Sequence, residues 1–212
     1  MIELRGVTVR YPGRPAVTAL EGLTLGLQPG VTLLQGPVGA GKTTLVRALA
    51  GLRRPDGGSI HYPWNPATLA QVRSRVGYVP QENRLTPPLS CEAALRYLAA
   101  TRGLPAGRAD VAALLARWGL ALARHKRLDR LSSGEARRWL LAQSQLVSPD
   151  LWLLDEPLHG LDAWGLRTLR AELARYAAPG AGRYAVVVSQ DPRLDDLPAR
   201  RVRLAGGRLA AA

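Results

Sequence analysis

The chain has 212 residues, 29 Lys and Arg against 16 Asp and Glu, and a formal net charge of +13. That length suits one compact domain, or a core with an inserted subdomain, and buries roughly 70% of the unfolded surface without disulfide or metal staples. Cys91 is the only cysteine, which excludes an intramolecular disulfide or a cysteine-rich zinc site and fits a reducing cytosol; the start MIELRGVTVR lacks the continuous apolar core of a signal peptide, and no run of about 18 apolar residues offers a membrane span.

Only Lys42 and Lys126 are lysines; 27 of the 29 cations are arginine. An anionic partner such as nucleic acid, nucleotide or lipid headgroups is one explanation. An Arg-rich solvated surface is the plainer one, because the arginines are spread along the chain rather than clustered.

In chain order, Glu3–Tyr11 and Leu20–Leu27 alternate apolar with polar positions and are expected as antiparallel strands at a sheet edge. Val31–Gln35 is a short buried strand, followed by a glycine loop and a helix over Lys42–Ala50. PDGGSIHY is a turn leading into a strand, and RVGYVPQ is another strand. From Glu82 to Gln145 the pattern turns helical: Glu92–Thr101 is rich in Ala and Leu, and Val111, Leu114, Leu115 and Trp118 share one helix face. LWLLDEP is a buried strand. Asp162 is placed to cap a helix over Ala163–Ala178, with Leu166, Leu169 and Leu173 inward. YAVVVSQ is a further buried strand, and RVRLAGGRLA reads as a hairpin around Gly206-Gly207. Strands alternating with helices predict an α/β fold. With the phosphate-loop pattern GPVGAGKT lying between a strand and a helix, residues 1–81 and 146–212 would form a P-loop NTPase core with a mostly parallel sheet and an N-terminal antiparallel β subdomain, and residues 82–145 an inserted α-helical subdomain.

The segment GPVGAGKT, Gly36–Thr43, matches the phosphate-loop pattern G-x-x-x-x-G-K-[ST] in full, with Pro37, Val38 and Ala40 among its variable positions. A strand precedes it and a helix follows. Gly36, Gly39 and Gly41 let the backbone wrap an anion with its N–H groups inward. Lys42 would reach the β- and γ-phosphates, the Thr43 hydroxyl would ligate Mg²⁺, and Thr44 would donate on the α-phosphate side. In LWLLDEP, Asp155 ends a buried strand, where a carboxylate is costly unless it faces a cation; Mg²⁺, through water, is the natural partner. Glu156 follows and points the other way, as a candidate general base. LSSGEARR, from Leu131, is a helix start whose small residues leave backbone N–H groups free for an anion. One chain therefore carries two anion-attracting features.

GPVGAGKTT, VPQ, LSSGEARR, LWLLDEP and GLD occur in the order seen in ATP-binding-cassette (ABC) ATPases, and the resemblance covers nearly the whole chain. It implies that the signature segment meets ATP held by the phosphate loop of a second subunit, so that a head-to-tail homodimer, or a heterodimer with another ABC ATPase, sandwiches two ATP molecules. Ser132 and Gly134 match the signature; Ser133 replaces a glycine and Glu135 a glutamine. Glu135 suits a helix's first turn but adds negative charge near a triphosphate. By the same resemblance Tyr11 stacks on adenine, and Gln81 touches Mg²⁺ and the attacking water and begins the loop that senses the membrane partner. Asp162 belongs to the loop crossing the dimer interface. Gln190 stands where the family places a histidine that holds the γ-phosphate, which implies slower hydrolysis; His61, His125 and His159 lie elsewhere, His159 near the interface loop. The implied function is the ATPase subunit of a transporter, docked on transmembrane subunits at the cytoplasmic face of the cell membrane. The opening VRYPGRPAVTALEGLTL resembles cobalt-type and energy-coupling-factor ATPases. A cassette acting on nucleic acid is the alternative, disfavoured by the short Gln81–Leu131 spacing and the single cysteine. A regulatory cassette with weak hydrolysis is another, suggested by Gln190 and Ser133.

Overall fold

The computed structural model describes residues 1–82, 88–104, 111–178 and 180–210. Parts of the expected helical region, 83–87 and 105–110, lie outside the described residues. The elements in chain order are β1 (Ile2–Tyr11), β2 (Val17–Leu27), β3 (Gly30–Gln35), α1 (Lys42–Leu49), β4 (Gly57–His61), α2 (Leu69–Ser74), β5 (Val76–Val79), α3 (Cys91–Thr101), α4 (Val111–Arg117), α5 (Ser133–Ser144), β6 (Leu151–Asp155), α6 (Ala163–Ala177), β7 (Tyr184–Val188), β8 (Ala199–Ala205) and β9 (Arg208–Leu209).

Two sheets form. The larger has strand order β5-β6-β7-β3-β8-β9, parallel throughout except for the β8–β9 hairpin. Its central strands read LWLLD and YAVVV and are buried at every position, as expected for a parallel sheet covered on both faces. Because side chains alternate across a strand, each one feeds two cores. Val31, Leu33, Trp152, Leu154, Ala185 and Val187 face a core shared with α3–α6. Leu34, Leu151, Leu153, Tyr184, Val186 and Val188 face a core closed by α1 and the smaller sheet.

The smaller sheet is antiparallel, in the order β2-β1-β4. This corrects the expectation that the first two strands share an edge position: β1 is the middle strand, with Leu4 opposite Leu25 on one side and Ile60 on the other. The pairing of β4 with β1 bridges some fifty residues and leaves no mark in the local alternation. A register shift between Leu4 and Val7 returns Val7 and Val9 to the core after two exposed positions.

Helix starts follow local chemistry. The Asp162 side chain accepts from the Gly165 N–H at 2.8 Å and caps α6, as the sequence predicts. At α5, Ser132 Oγ accepts from the Glu135 N–H while Glu135 Oε2 accepts from the Ser132 N–H, a complete capping box. The short α2, capped by Thr68 and burying Val72 alone, was not expected; at six residues it has too few turns for a periodic signal. The shared face of Val111, Leu114, Leu115 and Trp118 is buried as expected, though α4 ends one residue before Trp118.

The larger sheet and α5 approach closely where β5 runs beneath the helix end. A Cβ at Gly77 would lie 2.1 Å from the Ser144 carbonyl oxygen and 2.9 Å from Pro149. Gly77→Ala should therefore destabilise the chain by about 3 kcal/mol through backbone overlap, read as a lower urea midpoint at unchanged slope.

Candidate functional site

The loop between β3 and α1 wraps a cleft of about 340 Å³ at the carboxyl ends of the parallel strands, lined by Ala19, residues 38–44, Gln81, Asp155, Glu156 and Val188. Two of its glycines are required by clearance. A Cβ on Gly36 (φ 141) would lie 2.1 Å from the Leu204 carbonyl oxygen, and one on Gly41 (φ 96) 2.3 Å from that of Ala19. Gly41 begins α1 and gives it no side-chain cap, so the first-turn N–H groups face the cleft uncapped, a ready anion site. Lys42 Nζ donates to the carbonyls of Gly36 at 2.7 Å and Pro37 at 2.8 Å. Gln190 Nε2 converges on the same Gly36 carbonyl at 2.5 Å.

Asp155 ends β6 at 1% exposure, and neither carboxylate oxygen has a hydrogen-bond partner among the described residues. Burial pushes its carboxyl above the ordinary range; the neighbouring Thr43 hydroxyl and the charges of Arg47, Arg137 and Lys42 oppose the rise. Glu156 sits next in a left-handed backbone conformation, φ 48, which costs a non-glycine residue about 1–3 kcal/mol. Its N–H donates to the Val188 carbonyl at 3.0 Å, and it lines the cleft. Burial, then the neighbouring Asp155 charge, raises its pKa; Lys42, His159 and Arg137 oppose the shift.

Gln81 lines both this cleft and an adjoining one formed with Glu156, Leu158, His159, Gly160, Asp191 and Arg193. Tyr11 stands beside the loop, its hydroxyl 3.4 Å from Thr44 Oγ1 and its ring 5.5 Å from the Arg53 guanidinium carbon. It does not line the cleft around Lys42.

The structure does not bring the signature residues to this cleft. Ser132, Ser133, Gly134 and Glu135 lie at the tip of α5, with Ser132, Ser133 and Glu135 in or beside the capping turn and none of the four among the cleft lining. Gly134 lies against Asp162: a Cβ there would stand 3.1 Å from Oδ2. Asp162 also pairs with Arg138, Nε to Oδ2 at 3.3 Å, so within one chain it ties the signature helix to the start of α6.

Two further residues belong to the site and were not singled out from sequence. Lys126 Nζ lies 2.7 Å from Glu135 Oε2 and lowers the Glu135 pKa more than any other group, which offsets the negative charge at the helix tip. Its signal in the sequence was its rarity as one of two lysines. Arg137, one turn into α5, is fully buried and donates to the carbonyls of Pro80, Asp155, Glu156 and Pro157. Burial brings its guanidinium down to about 10, against the opposing charges of Asp155 and Glu156, so it stays cationic at neutral pH. In LSSGEARR the two arginines are indistinguishable; helix register alone puts Arg137 inside and Arg138 against Asp162.

Residues 20–159 match the family model described as ABC transporter. The chain belongs to the ABC transporter family. It is similar to the zinc import ATP-binding protein ZnuC of Pseudomonas fluorescens, 38% identical over 176 residues, covering 82% of this chain and 62% of that protein. It is also similar to the cytochrome c biogenesis ATP-binding export protein CcmA of Bordetella bronchiseptica, 36% identical over 181 residues, covering 78% of this chain and 80% of that protein. The chain thus spans less than two thirds of the length of its ZnuC relatives. In fold it matches the dimeric post-hydrolysis state of the ATP-binding cassette MJ0796 bound to ADP and Pi, with a TM-score of 0.85 at 22% identity, covering 100% of this chain and 97% of that one. CbiO1 from Clostridium perfringens, part of the ABC transporter complex cbiONQ, matches with a TM-score of 0.78 at 23% identity, covering 99% and 86%. The α/β architecture of this ABC transporter chain, with its antiparallel β sheet and mostly parallel main sheet, is that of such cassettes. No helix among the described residues is long and apolar enough to cross a membrane.

The raised carboxyls have a stability consequence. A carboxyl whose pKa is higher in the folded than in the unfolded chain supplies stability that is complete below the ordinary carboxylate range and is lost as pH rises through the folded value. Burial raises both Asp155 and Glu156, so the nucleotide-free chain should lose stability as pH climbs out of that range. Asp155→Asn should flatten the loss and raise the midpoint of thermal unfolding at pH 7 by a few degrees, measured by melts across a pH series.

Proposed function

We propose that this chain is the ATP-binding and ATP-hydrolysing subunit of a transporter, working in a head-to-tail pair and docked peripherally on transmembrane subunits at the cytoplasmic face of the membrane. The observation that carries this is the separation of its two anion-attracting features. The phosphate loop lines one cleft, and the tip of α5 stands outside it. A second copy, or a related cassette, supplies the missing tip to each cleft, so closure of the pair depends on ATP.

The loop N–H groups and Lys42 bind the phosphates, with Lys42 exchanging the Gly36 and Pro37 carbonyls for phosphate oxygens; Pro37, Val38, Ala40 and Thr44 shape and complete the cradle. Tyr11 receives the adenine. Mg²⁺ fits the oxygen donors Thr43, Gln81 and Asp155, and the two orphaned, buried oxygens of Asp155 are the feature that favours a hard cation. No group of three or more His, Cys, Asp or Glu that could hold a metal ion occurs among the described residues, so Asp155 would be the one carboxylate in this set, beside the neutral donors Thr43 and Gln81. When bound, the ion supplies charge stabilisation to the phosphates. Gln81 orients water and Glu156, its pKa raised towards that of a useful base, takes the water's proton as the oxygen attacks the γ-phosphorus and ADP leaves. Ser132, Ser133, Gly134 and Glu135 present the α5 dipole to the partner's γ-phosphate, and Asp162 joins that tip to the interface loop. Gln190 donates an amide in place of a charged imidazole. Residues 82–145 form the helical subdomain that meets the membrane subunits, with 1–81 and 146–212 as the nucleotide core.

A cassette with weak hydrolysis is the second reading, favoured by the Gln190 amide, which is engaged with the loop carbonyl of Gly36. Turnover decides between them. Glu156→Gln should lower kcat by about 10²-fold or more while nucleotide affinity holds, and a wild-type rate no higher than that of the variant would favour the regulatory cassette. Gln190→His should raise turnover of the assembled complex, read as phosphate release.

The Lys126–Glu135 pair makes a separate prediction. Lys126→Ala should raise KM for ATP about two- to fivefold, the scale of a partly exposed ion pair. Adding Glu135→Gln should restore it, a coupling that a double-mutant cycle of the four proteins measures.

A further inference from the structure

We propose that Arg137 is a positioning residue: through it, the signature helix of a subunit sets the reactive geometry of that same subunit's Gln81 and Glu156, and so couples the two ATP sites of a pair. The proposal rests on the reading above, in which Glu156 and Gln81 serve the subunit's own nucleotide and the α5 tip serves its partner's.

The guanidinium leaves α5 one turn from Ser132 and spreads between two loops. Nη1 donates to the Pro80 carbonyl at 2.6 Å and is 3.4 Å from that of Gln81. Nη2 donates to the carbonyls of Asp155 at 3.0 Å and Glu156 at 2.5 Å, and Nε to that of Pro157 at 3.0 Å. Those acceptors are carbonyls of Gln81 and Glu156, the two residues that line the cleft, and of their chain neighbours. A planar fork of fixed N–H directions is suited to this: it holds the relative position of two loops where a point charge would not.

Two details give the arrangement a direction. Glu156 is held in a left-handed backbone conformation that a glutamate does not prefer. The bond from Arg137 to its carbonyl helps to keep it there, in the lining of the cleft. The tip of α5 beside Arg137 is stiff: its first turn is locked by the capping box, and the adjacent Arg138 is fastened to the interface aspartate Asp162. A force on the helix tip from a partner's phosphate therefore moves Arg137 as part of a rigid body. Its five acceptor carbonyls follow, and a shift of about 1 Å at Glu156 is enough to change rate by about 10²-fold. ATP captured by the tip is in this way reported to the same subunit's own hydrolytic residues.

The test uses the full chain, with its membrane subunits where they co-purify. Arg137→Lys keeps the charge and loses the fork; Arg137→Met loses both. ATPase is followed against ATP concentration, nucleotide binding with a fluorescent ATP analogue, and folding by thermal melts. Arg137→Lys should fold and bind nucleotide within about twofold of wild type, yet show kcat lower by about 10- to 100-fold and a Hill coefficient for ATP reduced towards 1. A residue serving stability alone would lower the melting point and the active fraction while leaving the Hill coefficient in place. A folded Arg137→Lys with wild-type kcat and Hill coefficient overturns the proposal. Should both variants fail to fold, amide exchange on the wild type decides. Segments 80–82, 132–137 and 155–158 should gain protection together when ATP closes the pair, and independent protection overturns the proposal. If Glu156→Gln leaves turnover unchanged, the reading of the site fails instead; if it abolishes turnover while Arg137→Lys is wild-type in rate and cooperativity, the coupling alone fails.

Discussion

At the carboxyl end of β6 a carboxylate is shut away from water with no hydrogen-bond partner among the described residues, and the molecule around Asp155 is arranged to make that tolerable. An isolated buried charge costs many kcal/mol; in proteins it is neutralised by its neighbours or by a shift in pKa. Here both occur. The Asp155 pKa is raised, and Arg47 and Lys42 from α1 and Arg137 from α5 oppose the rise. The uncapped start of α1 adds its positive dipole end to the same cleft. The site stores an electrostatic imbalance that a divalent cation and a polyphosphate would settle together. That is why the strand end, the glycine loop and the buried arginine have to be considered as one object.

The parallel sheet makes this imbalance affordable. Because β3, β6 and β7 are covered on both faces, their shared carboxyl ends are held rigidly, and the cleft opens where ligands of open α/β sheets bind, outside the strand ends. The α5 tip belongs to the opposite side of that design. It is anchored to the sheet by Arg137 and to α6 through Arg138 and Asp162, with its polar residues turned away from the cleft of its own chain. A rigid link between an outward-facing tip and an inward-facing site is what the proposed pairing of cassettes requires.

The strong positive charge finds a plain place in this picture. Many arginines are engaged with nearby acids at the surface, as in Arg5–Glu3, Arg53–Asp56, Arg127–Asp129, Arg193–Asp191 and Arg208–Glu21. Such pairs contribute little to stability each, and they are dispersed over both sheets and the helices rather than gathered in one stripe. The two lysines, in contrast, lie beside the two anion-attracting features, Lys42 in the phosphate loop and Lys126 paired with Glu135 at the α5 tip.

The sequence by itself determined the phosphate loop, the aspartate-glutamate strand end, the helix cap at Asp162, the helix start at LSSGEARR and the buried runs of β6 and β7, because each depends on residues within a few positions of one another; the Ser132 capping box at that helix start came from the folded chain. It could not place β1 in the middle of its sheet, since the strand that flanks it arrives from far along the chain. Nor could it tell Arg137 from Arg138, or show that Lys126 reaches Glu135: those depend on helix register and on a fold that brings separated segments together. Local chemistry is written in spacing, whereas partners across space are chosen by packing, and only the folded chain decides which charge faces which.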